Sequence, residues 1–200
     1  MAAAPHCILD DFLPESVHQE LLAHCLAVGD FDRGKVIVDG ELAYHPDLRQ
    51  GYISRDRLGR QLMPFRVRMD AAFAQIATEL GIKPFKYNDI EFRLAAHGHG
   101  DFFKPHRDTF VGKDRPEGGD RLITAVYYLH AQPRGFRGGD LRIHPFGPGE
   151  PVVVQPASNR LVAFPSFAIH EVSPVEVPSR AFADSRFSVT TWFRRVSTPS

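Results

Sequence analysis

Residues 122–154 of the chain read LITAVYYLHAQPRGFRGGDLRIHPFGPGEPVVV. Three stretches of this segment are rich in β-branched, aliphatic or aromatic residues: Leu122–His130, Asp140–Ile143 and Val152–Val154. Clusters of Gly and Pro separate them. Because branched and aromatic side chains favour strands, whereas Gly and Pro favour turns, the segment predicts short strands joined by tight connections.

The same alternation of strand-like stretches and turn residues continues on both sides of this segment. Four further stretches bring the number of predicted strands to seven: Ile90–Ala96, Arg160–Phe164, Ile169–Val172 and Arg186–Arg195. Short strands at this spacing favour an all-β sandwich or barrel for this part of the chain.

Two amphipathic helices are predicted before the strands. The first runs from about Pro14 to Val28, and the second runs from about Pro64 to Leu80 and is followed by Gly81. Apolar side chains recur at helical spacing at Val17, Leu21, Leu22, Cys25 and Leu26, and at Phe65, Met69, Phe73, Ile76 and Leu80. Because the helices precede the strands as a block, a parallel βαβ fold is disfavoured. We expect a mainly β protein with N-terminal helices packed on a barrel, an α+β arrangement.

The segment between the two helices, Phe31–Leu58, is polar, with scattered aromatic residues at Tyr44 and Tyr52. A lid, a hairpin at a sheet edge and a solvated loop are all compatible with this composition. The sequence leaves these three alternatives open.

Composition indicates an ordinary globular chain. The 200 residues are 43% hydrophobic and 24% charged, with a formal net charge of zero. A chain of this length is expected to form a single domain, residues 1–200, with a hydrophobic core. Nucleic-acid binding is not expected, because no block of Lys and Arg provides a basic surface.

Three features predict a cytoplasmic protein that does not interact with membranes. Cys7 and Cys25 lack the spacing of a metal finger and are expected to be reduced thiols. The opening residues show no signal-peptide pattern, and no apolar run approaches the roughly 18 residues needed to cross a bilayer.

Two segments carry candidate metal ligands: HGHGDFFKPHRD, which ends at Asp108, and FPSFAIHEVSPV, which contains His170. His106 and Asp108 are two residues apart, so their side chains lie on the same face of an extended segment. A histidine from a distant strand would complete a set of two histidines and one carboxylate. That facial set leaves coordination positions open and is diagnostic of non-heme Fe(II) oxygenases.

The last predicted strand contains RFSVTTW, residues 186–192. In a strand, Arg186, Ser188, Thr190 and Trp192 share one face, and Phe187, Val189, Thr191 and Phe193 share the other. A face with a cation and hydroxyl groups opposite a mostly apolar face suits a barrel whose interior holds an anion. An Arg fork matches a carboxylate, and a Ser hydroxyl can donate one more hydrogen bond.

With these motifs in order, the sequence resembles the prolyl 4-hydroxylase-like branch of the Fe(II)/2-oxoglutarate-dependent dioxygenases. The resemblance extends from about Ile90 to Arg195 and includes the run before HRD, then ITAVYYL, RGGDLRIHP, HEVSPV and RFSVTTW. It implies a double-stranded β-helix, a jelly-roll barrel buttressed by N-terminal helices. Residues 1–88 would then supply helical support and a lid loop, and residues 89–196 the catalytic core.

The resemblance also implies roles for individual residues. His106, Asp108 and His170 match the iron ligands. Arg186 matches the residue that pairs with the distal carboxylate of 2-oxoglutarate, with Ser188 in support, and Tyr128 is similar to a tyrosine that hydrogen-bonds the same carboxylate. Arg121 and Trp192 fall where relatives contact or border the substrate.

The sequence departs from the family pattern in two places. The family often has a tyrosine nine or ten residues before the first metal-binding histidine, where this chain has His97 and Ala96, so that contact is lost or taken over by His97. The spacing from His170 to Arg186 is also longer than usual, which makes Arg180 a rival. We prefer Arg186 because Ser188 and Trp192 follow it in the family's pattern, with PSRAFADS read as an inserted loop.

The function implied is hydroxylation of an unactivated C–H bond with Fe(II), 2-oxoglutarate and O2, with ascorbate as a candidate reductant. A prolyl residue in a protein or peptide is the expected substrate. Alternatives are the same chemistry on a free amino acid or secondary metabolite, or a catalytically silent jelly-roll binding module. Zinc hydrolysis would suit the triad but leaves Arg186, Ser188 and Tyr128 without a common task. The sequence carries no signal for an oligomeric state.

Overall fold

The two predicted helices are present in the computed structural model, which describes residues 3–38, 41–56, 58–109 and 119–195, apart from the side chains of residues 88 and 89. Helix α1 spans Glu15–Ala27, and helix α2 spans Leu62–Glu79. Neither helix in the described part of the chain is long and apolar enough to cross a membrane.

Sixteen strands are assigned in the described residues. They are β1 (Cys7–Leu9), β2 (Phe31–Arg33), β3 (Val36–Val38), β4 (Glu41–Ala43), β5 (Arg49–Gln50), β6 (Tyr52–Ser54), β7 (Tyr87–His97), β8 (Phe102–His106), β9 (Asp120–Leu129), β10 (Arg137–Gly138), β11 (Leu141–Ile143), β12 (Val152–Val154), β13 (Arg160–Pro165), β14 (His170–Val172), β15 (Val175–Glu176) and β16 (Arg186–Arg195). The seven predicted strands are all present, with ends that differ by a few residues at most.

Two antiparallel sheets form the body of the fold. The major sheet has seven strands in the order β1-β13-β9-β16-β7-β6-β2, and the minor sheet has five in the order β12-β11-β14-β8-β5. Two further strand pairs, β3-β4 and β10-β15, lie outside these sheets. This mainly β arrangement with two helices confirms the predicted fold class, the jelly-roll barrel.

The two faces of the major sheet have different environments, as the alternation in β16 predicted. Phe187, Val189 and Phe193 join the large apolar core that also contains the buried faces of α1 and α2. A smaller core, which includes Val126, Leu141 and Phe164, contains residues of both sheets. The helices therefore cover one face of the major sheet and leave the other face to the barrel interior.

The polar segment between the helices contributes edges of both sheets. Within it, β2 and β6 extend the major sheet, β5 extends the minor sheet, and β3 and β4 form a separate hairpin. Of the three alternatives left open by the sequence, the edge hairpin is therefore closest to what the structure shows.

The expectation of seven strands was too low. The strands that sequence patterns missed are mostly two or three residues long, such as β1, β5, β10 and β15, and windows this short carry no measurable periodicity. The boundary proposed between residues 88 and 89 falls inside β7, and β1 and β6 pair with strands of the proposed core. Residues 1–88 thus supply strands as well as helices.

One buried asparagine ties the N-terminal segment to the barrel. The Asn159 side-chain amide donates to the Leu13 carbonyl at 2.9 Å, and its oxygen accepts from the Leu13 backbone N–H and the Tyr127 hydroxyl, both at 2.9 Å. Asn159 has φ of 62°, a left-handed conformation that Asn tolerates better than most residues.

We expect Asn159→Ala to lower the free energy of unfolding by about 2 kcal/mol or more, because three buried hydrogen bonds are lost and Ala is strained at this φ. Asn159→Gly is the matched control, since it removes the same side chain but relaxes the backbone, and should cost less. Urea denaturation measures both. A loss below about 0.5 kcal/mol for Asn159→Ala would contradict this role.

Candidate metal centre

His106, Asp108 and His170 lie together at one end of the minor sheet. The antiparallel register of β8 and β14 sets His106 opposite His170, and Asp108 follows two residues after His106. The Nε2 atom of His106 lies 3.7 Å from Oδ1 of Asp108, and Nε2 of His170 lies 3.5 Å from Oδ2. One ligand atom from each residue lies within 4.8 Å of the others, a separation that suits a shared metal ion.

Backbone carbonyls orient both imidazole rings. Nδ1 of His106 lies 2.8 Å from the Lys104 carbonyl, and Nδ1 of His170 lies 3.0 Å from the Ala168 carbonyl. Because a carbonyl oxygen only accepts, each Nδ1 carries the proton and each Nε2 keeps a free lone pair. An outer hydrogen bond of this kind is the usual arrangement for metal-binding histidines.

The Asp108 carboxylate is held through one oxygen. Oδ2 accepts hydrogen bonds from Nε1 of Trp192 and from Oγ1 of Thr124, both at 2.9 Å. The Thr124 hydroxyl also lies 2.9 Å from that of Ser166, whose carbonyl accepts from the Asp108 N–H. These contacts fix the carboxylate and leave Oδ1 available to a metal ion.

Electrostatics favour the charge states that a metal ion requires. Burial, together with the charge of His170, lowers the pKa of His106 to about 3. Burial raises the pKa of Asp108, but the neighbouring His170, His106 and Trp192 outweigh it and lower that pKa to about 2. At neutral pH the site therefore presents a neutral His106 imidazole and an ionised Asp108 carboxylate.

A second polar cluster lies on the major sheet, on strands β7, β9 and β16. Arg186 pairs in register with His97, and Ser188 pairs with Tyr128. Arg186 is 1% exposed, its Nε donates to the Gly139 carbonyl at 2.8 Å, and its guanidinium lies 4.8 Å from the Tyr128 ring centroid. The planar face of the Arg186 guanidinium thus packs on the Tyr128 ring.

Two buried polar atoms of this cluster have no hydrogen-bond partner among the described residues. The Tyr128 hydroxyl lies near Arg186 but makes no hydrogen bond of acceptable geometry, and Nε2 of His97 also lacks a partner among the described residues. The hydrogen-bonding contacts of the Arg186 side chain in the described part of the chain are with the Gly139 carbonyl and Nδ1 of His97, and neither is a carboxylate. Burial and the charges of Arg186 and Arg49 lower the pKa of His97 well below its usual range, so its ring is neutral.

A carboxylate ligand would suit this cluster, because the Tyr128 hydroxyl and Nε2 of His97 lie near the buried Arg186 cation and have no hydrogen-bond partner among the described residues. A buried polar group without a partner is costly, so the cluster has the character of a site that an anion completes. Arg186, Tyr128, Ser188 and His97 all line the cavity that contains the His106–Asp108–His170 triad. This cavity has a volume of about 680 Å³.

The structure separates the two arginines that the sequence left as rivals. Arg186 lines the cavity, whereas Arg180 is exposed in the preceding loop, with φ of 56°, and does not line it. A short 3-10 helix, Phe182–Asp184, lies between them, so the inserted segment leaves β16 in the expected register.

The two residues proposed to border the substrate lie beside Asp108. The guanidinium of Arg121 is 3.9 Å from the ring centroid of Trp192 and bonds Glu91, and the Trp192 indole bonds Asp108 as described. Both Arg121 and Trp192 line the cavity.

Sequence reasoning missed several residues that build the site. Thr124 and Ser166 hold Asp108, and the Phe103 ring stacks on His106 with a centroid distance of 3.5 Å. Arg49 and Arg93 also line the cavity. Thr124 could have been found, because it lies on the same face of the ITAVYYL strand as Tyr128. The others depend on tertiary contacts that no local pattern records.

Residues 92–194, just over half of the chain, match the family described as the 2OG-Fe(II) oxygenase superfamily. The chain belongs to this superfamily. Membership implies Fe(II), 2-oxoglutarate and O2 as the cofactor and co-substrates, and the His-Asp-His site fits that requirement.

Two curated relatives of this oxygenase carry names that agree with the family. The chain is 33% identical over 138 residues to an uncharacterized PKHD-type hydroxylase of Synechocystis sp., covering 65% of this chain and 44% of the relative. It is 27% identical over 201 residues to human Egl nine homolog 1, covering 94% of this chain and 43% of the relative. The chain thus spans less than half the length of the curated relatives it matches.

Solved structures agree on the fold. A Pseudomonas putida prolyl-4-hydroxylase is 27% identical, with a TM-score of 0.70 over 96% of this chain and 93% of that chain. A Trichoplax adhaerens prolyl hydroxylase, solved with a peptide fragment of the hypoxia inducible factor oxygen degradation domain, is 22% identical, with a TM-score of 0.72 over 95% of this chain and 83% of that chain. The second likeness shows the fold alone.

We expect Trp192→Phe to weaken binding of a divalent metal by about 10-fold, because Asp108 loses one of the two hydrogen bonds that orient its carboxylate. Calorimetric titration with Mn(II) measures this. Thr191→Val is the matched control, since Thr191 lies on the opposite face of β16 and its buried hydroxyl has no partner among the described residues. Equal affinities for Trp192→Phe and the parent protein would refute the positioning role.

Proposed function

We propose that this oxygenase hydroxylates a prolyl residue in a protein or peptide, with His106, Asp108 and His170 as the ligands of Fe(II). The observation that carries the proposal is one cavity that contains both this triad and the buried Arg186, which has no carboxylate partner among the described residues. A metal site alone would serve many reactions. A metal site with a separate carboxylate pocket suits an oxygenase that uses an oxo-acid.

The donor set fits a ferrous ion. Two neutral imidazole nitrogens and one carboxylate oxygen on one side of a metal are the ligands of the non-heme Fe(II) oxygenases. When bound there, iron with 2-oxoglutarate and O2 supplies the oxidising chemistry for C–H hydroxylation. The carbonyls of Lys104 and Ala168 keep the Nε2 atoms directed at the ion, and Trp192 and Thr124 keep Asp108 in place.

Four residues would hold 2-oxoglutarate. Arg186 would pair with the distal carboxylate through its planar fork, and the hydroxyl groups of Tyr128 and Ser188 would donate to the same group. His97 would take over the role of the family's tyrosine, because its Nδ1 faces Arg186 at 3.5 Å and its neutral ring leaves Nε2–H free to donate. Burial keeps Tyr128 protonated by raising its pKa.

The walls of the cavity would position the substrate and exclude water. Phe103 covers the His106 ring, and Phe164 lies 4.6 Å from the His170 ring, so the two imidazoles are shielded from bulk solvent on their outer sides. Arg121 and Trp192 lie at the edge of the site and would contact the substrate.

The prolyl assignment rests on the relatives. The Pseudomonas putida and Trichoplax adhaerens proteins are named as prolyl hydroxylases, and the second was solved with a peptide. A cavity of about 680 Å³ that is open to solvent has room for a prolyl side chain within an extended peptide. A free amino acid is the alternative substrate.

The experiment that tests this function supplies Fe(II), 2-oxoglutarate, O2 and ascorbate to the purified protein with prolyl peptides and free L-proline. We expect succinate to form and one oxygen atom, about 16 mass units, to be added to a prolyl ring. Asp108→Ala is the negative control, because it removes the carboxylate ligand. Succinate without any prolyl product would reject the prolyl assignment, and no 2-oxoglutarate consumption at all would reject the oxygenase function.

We expect Arg186→Gln to raise the Kd of 2-oxoglutarate by at least 10-fold, because the loss of a charge-assisted bidentate contact costs about 1.5–3 kcal/mol. Arg180→Gln, the matched control in the exposed loop, should leave the Kd unchanged. Calorimetry with the Mn(II)-loaded protein measures both values. Equal effects of the two substitutions would show that the carboxylate binds elsewhere.

A further inference from the structure

Arg49 is a buried cation on the wall of the metal-site cavity. It is 6% exposed on strand β5, yet its side chain makes no hydrogen bond or ion pair with any residue in the described part of the chain. Its guanidinium lies 4.7 Å from the centroid of the Phe103 ring, and it lines the cavity of the metal site. Burial of an unpaired guanidinium opposes folding, so its retention points to a ligand that completes it.

Arg93 presents a second guanidinium to the same cavity. It lies on β7 opposite Thr190, on the inward face of the major sheet, and its guanidinium is 4.8 Å from the ring centroid of Trp192. Its one hydrogen bond in the described residues runs from Nη2 to Glu91 at 3.1 Å. Glu91 also bonds Arg121, so its charge is shared.

Both guanidiniums lie next to the metal ligands rather than at the Arg186 end of the cavity. Arg49 covers Phe103, whose ring stacks on His106, and Arg93 covers Trp192, whose indole bonds Asp108. Two cations therefore flank the place where a C–H bond would react.

The charge of Arg93 also acts on Arg49. Burial and the charge of Arg93 lower the pKa of Arg49 to about 10, whereas Asp108 raises it. Arg49 thus stays protonated at neutral pH, although its nearest charged neighbours include another cation. An anion between Arg49 and Arg93 would relieve this repulsion.

The backbone holds Arg49 in this position. A Cβ atom at Gly34 would lie 2.8 Å from Nε of Arg49, so the turn between β2 and β3 packs directly on the guanidinium. The Gly34 N–H donates to the Gly51 carbonyl at 2.9 Å, which fixes that turn beside β6. The cation is therefore covered on one side by Gly34 and on another by Phe103, with the cavity beyond.

We propose that Arg49 and Arg93 form a carboxylate-binding subsite for the primary substrate. The inference rests on the proposed function and adds the chemical class of its substrate, a molecule with an acid group close to the reacting carbon. A planar guanidinium fork matches a carboxylate, and the aromatic rings beneath Arg49 and Arg93 hold the two forks in place.

Two sources can supply this carboxylate. One is the α-carboxylate of a free amino acid or of a C-terminal residue. The other is an Asp or Glu side chain next to a prolyl residue within a peptide. Both present the same planar group, so the experiment uses one pair of probes for each source.

The experiment measures probe binding by calorimetry to protein saturated with Mn(II) and 2-oxoglutarate, so that no turnover occurs and the Arg186 pocket is filled. N-acetyl-L-proline and its amide test the α-carboxylate, and acetyl-Asp-Pro amide and acetyl-Asn-Pro amide test the side chain. We expect one acid to bind about 10-fold more tightly than its neutral partner. Arg49→Gln and Arg93→Gln should each remove that preference. Arg142→Gln, at an exposed arginine of β11 that does not line the cavity, should retain it.

Stability provides a second readout that a purely structural arginine would not give. Because Arg49 has no hydrogen bond or ion pair to lose among the described residues, Arg49→Met should leave the thermal stability of the unliganded protein unchanged or raise it. A lower stability would assign Arg49 a structural role and overturn the proposal. The proposal would also be overturned if the parent protein showed no preference for an acid probe, or if Arg49→Gln kept that preference. It would likewise be overturned if Arg49→Gln weakened the binding of 2-oxoglutarate and left probe binding unchanged.

The subsite and the prolyl function can fail separately. N-acetyl-L-leucine and its amide provide the same acid and neutral groups without a prolyl ring. If no prolyl compound is oxidised but the acid of the leucine pair is still preferred through Arg49, the prolyl assignment fails and the subsite stands. In the opposite case, a prolyl peptide is oxidised equally well with Asp or with Asn beside the proline, and free proline is not a substrate. The prolyl hydroxylase function then stands, and the Arg49–Arg93 carboxylate subsite fails.

Discussion

The antiparallel register of β8 and β14 is the constraint from which the metal site follows. It sets His106 opposite His170 and brings Asp108 to both, and a shift of one residue in either strand would turn one imidazole to the other face. Everything else in the site supports this pairing. Backbone carbonyls orient the two rings, and the side chains of Trp192 and Thr124, which face each other across β16 and β9, hold the carboxylate from the opposite sheet.

The division of the major sheet into two faces explains how so much charge can be buried beside a stable core. The outer face packs on α1 and α2 and is almost entirely apolar. The inner face carries Arg93, Arg186, His97 and Tyr128 into the barrel, where they line one cavity. Stability thus comes mainly from one side of the sheet. The other side carries polar groups, and two of their buried atoms, the Tyr128 hydroxyl and Nε2 of His97, have no hydrogen-bond partner among the described residues.

The cavity has two cationic regions with different environments. At one end Arg186 is surrounded by hydroxyl groups and a neutral histidine, which suits a carboxylate held by several donors. Near the metal ligands, Arg49 and Arg93 lie on aromatic rings and have fewer hydrogen-bonding neighbours. A small dicarboxylic acid fits the first region by its donors, and an acid group on a second molecule fits the other.

The sequence alone determined both helices, seven of the strands and the faces of β16, because these depend on periodicity and on turn residues, and its resemblance to the dioxygenase family implied the jelly-roll class. It also singled out His106, Asp108, His170 and Arg186. The short edge strands, the stacking of Phe103 on His106 and the placement of Arg49 and Arg93 on the wall of one cavity were decided only by the tertiary structure. Arg49 and Arg93 are 44 residues apart and belong to different sheets, and each resembles an ordinary surface arginine until the fold encloses them beside the same metal site.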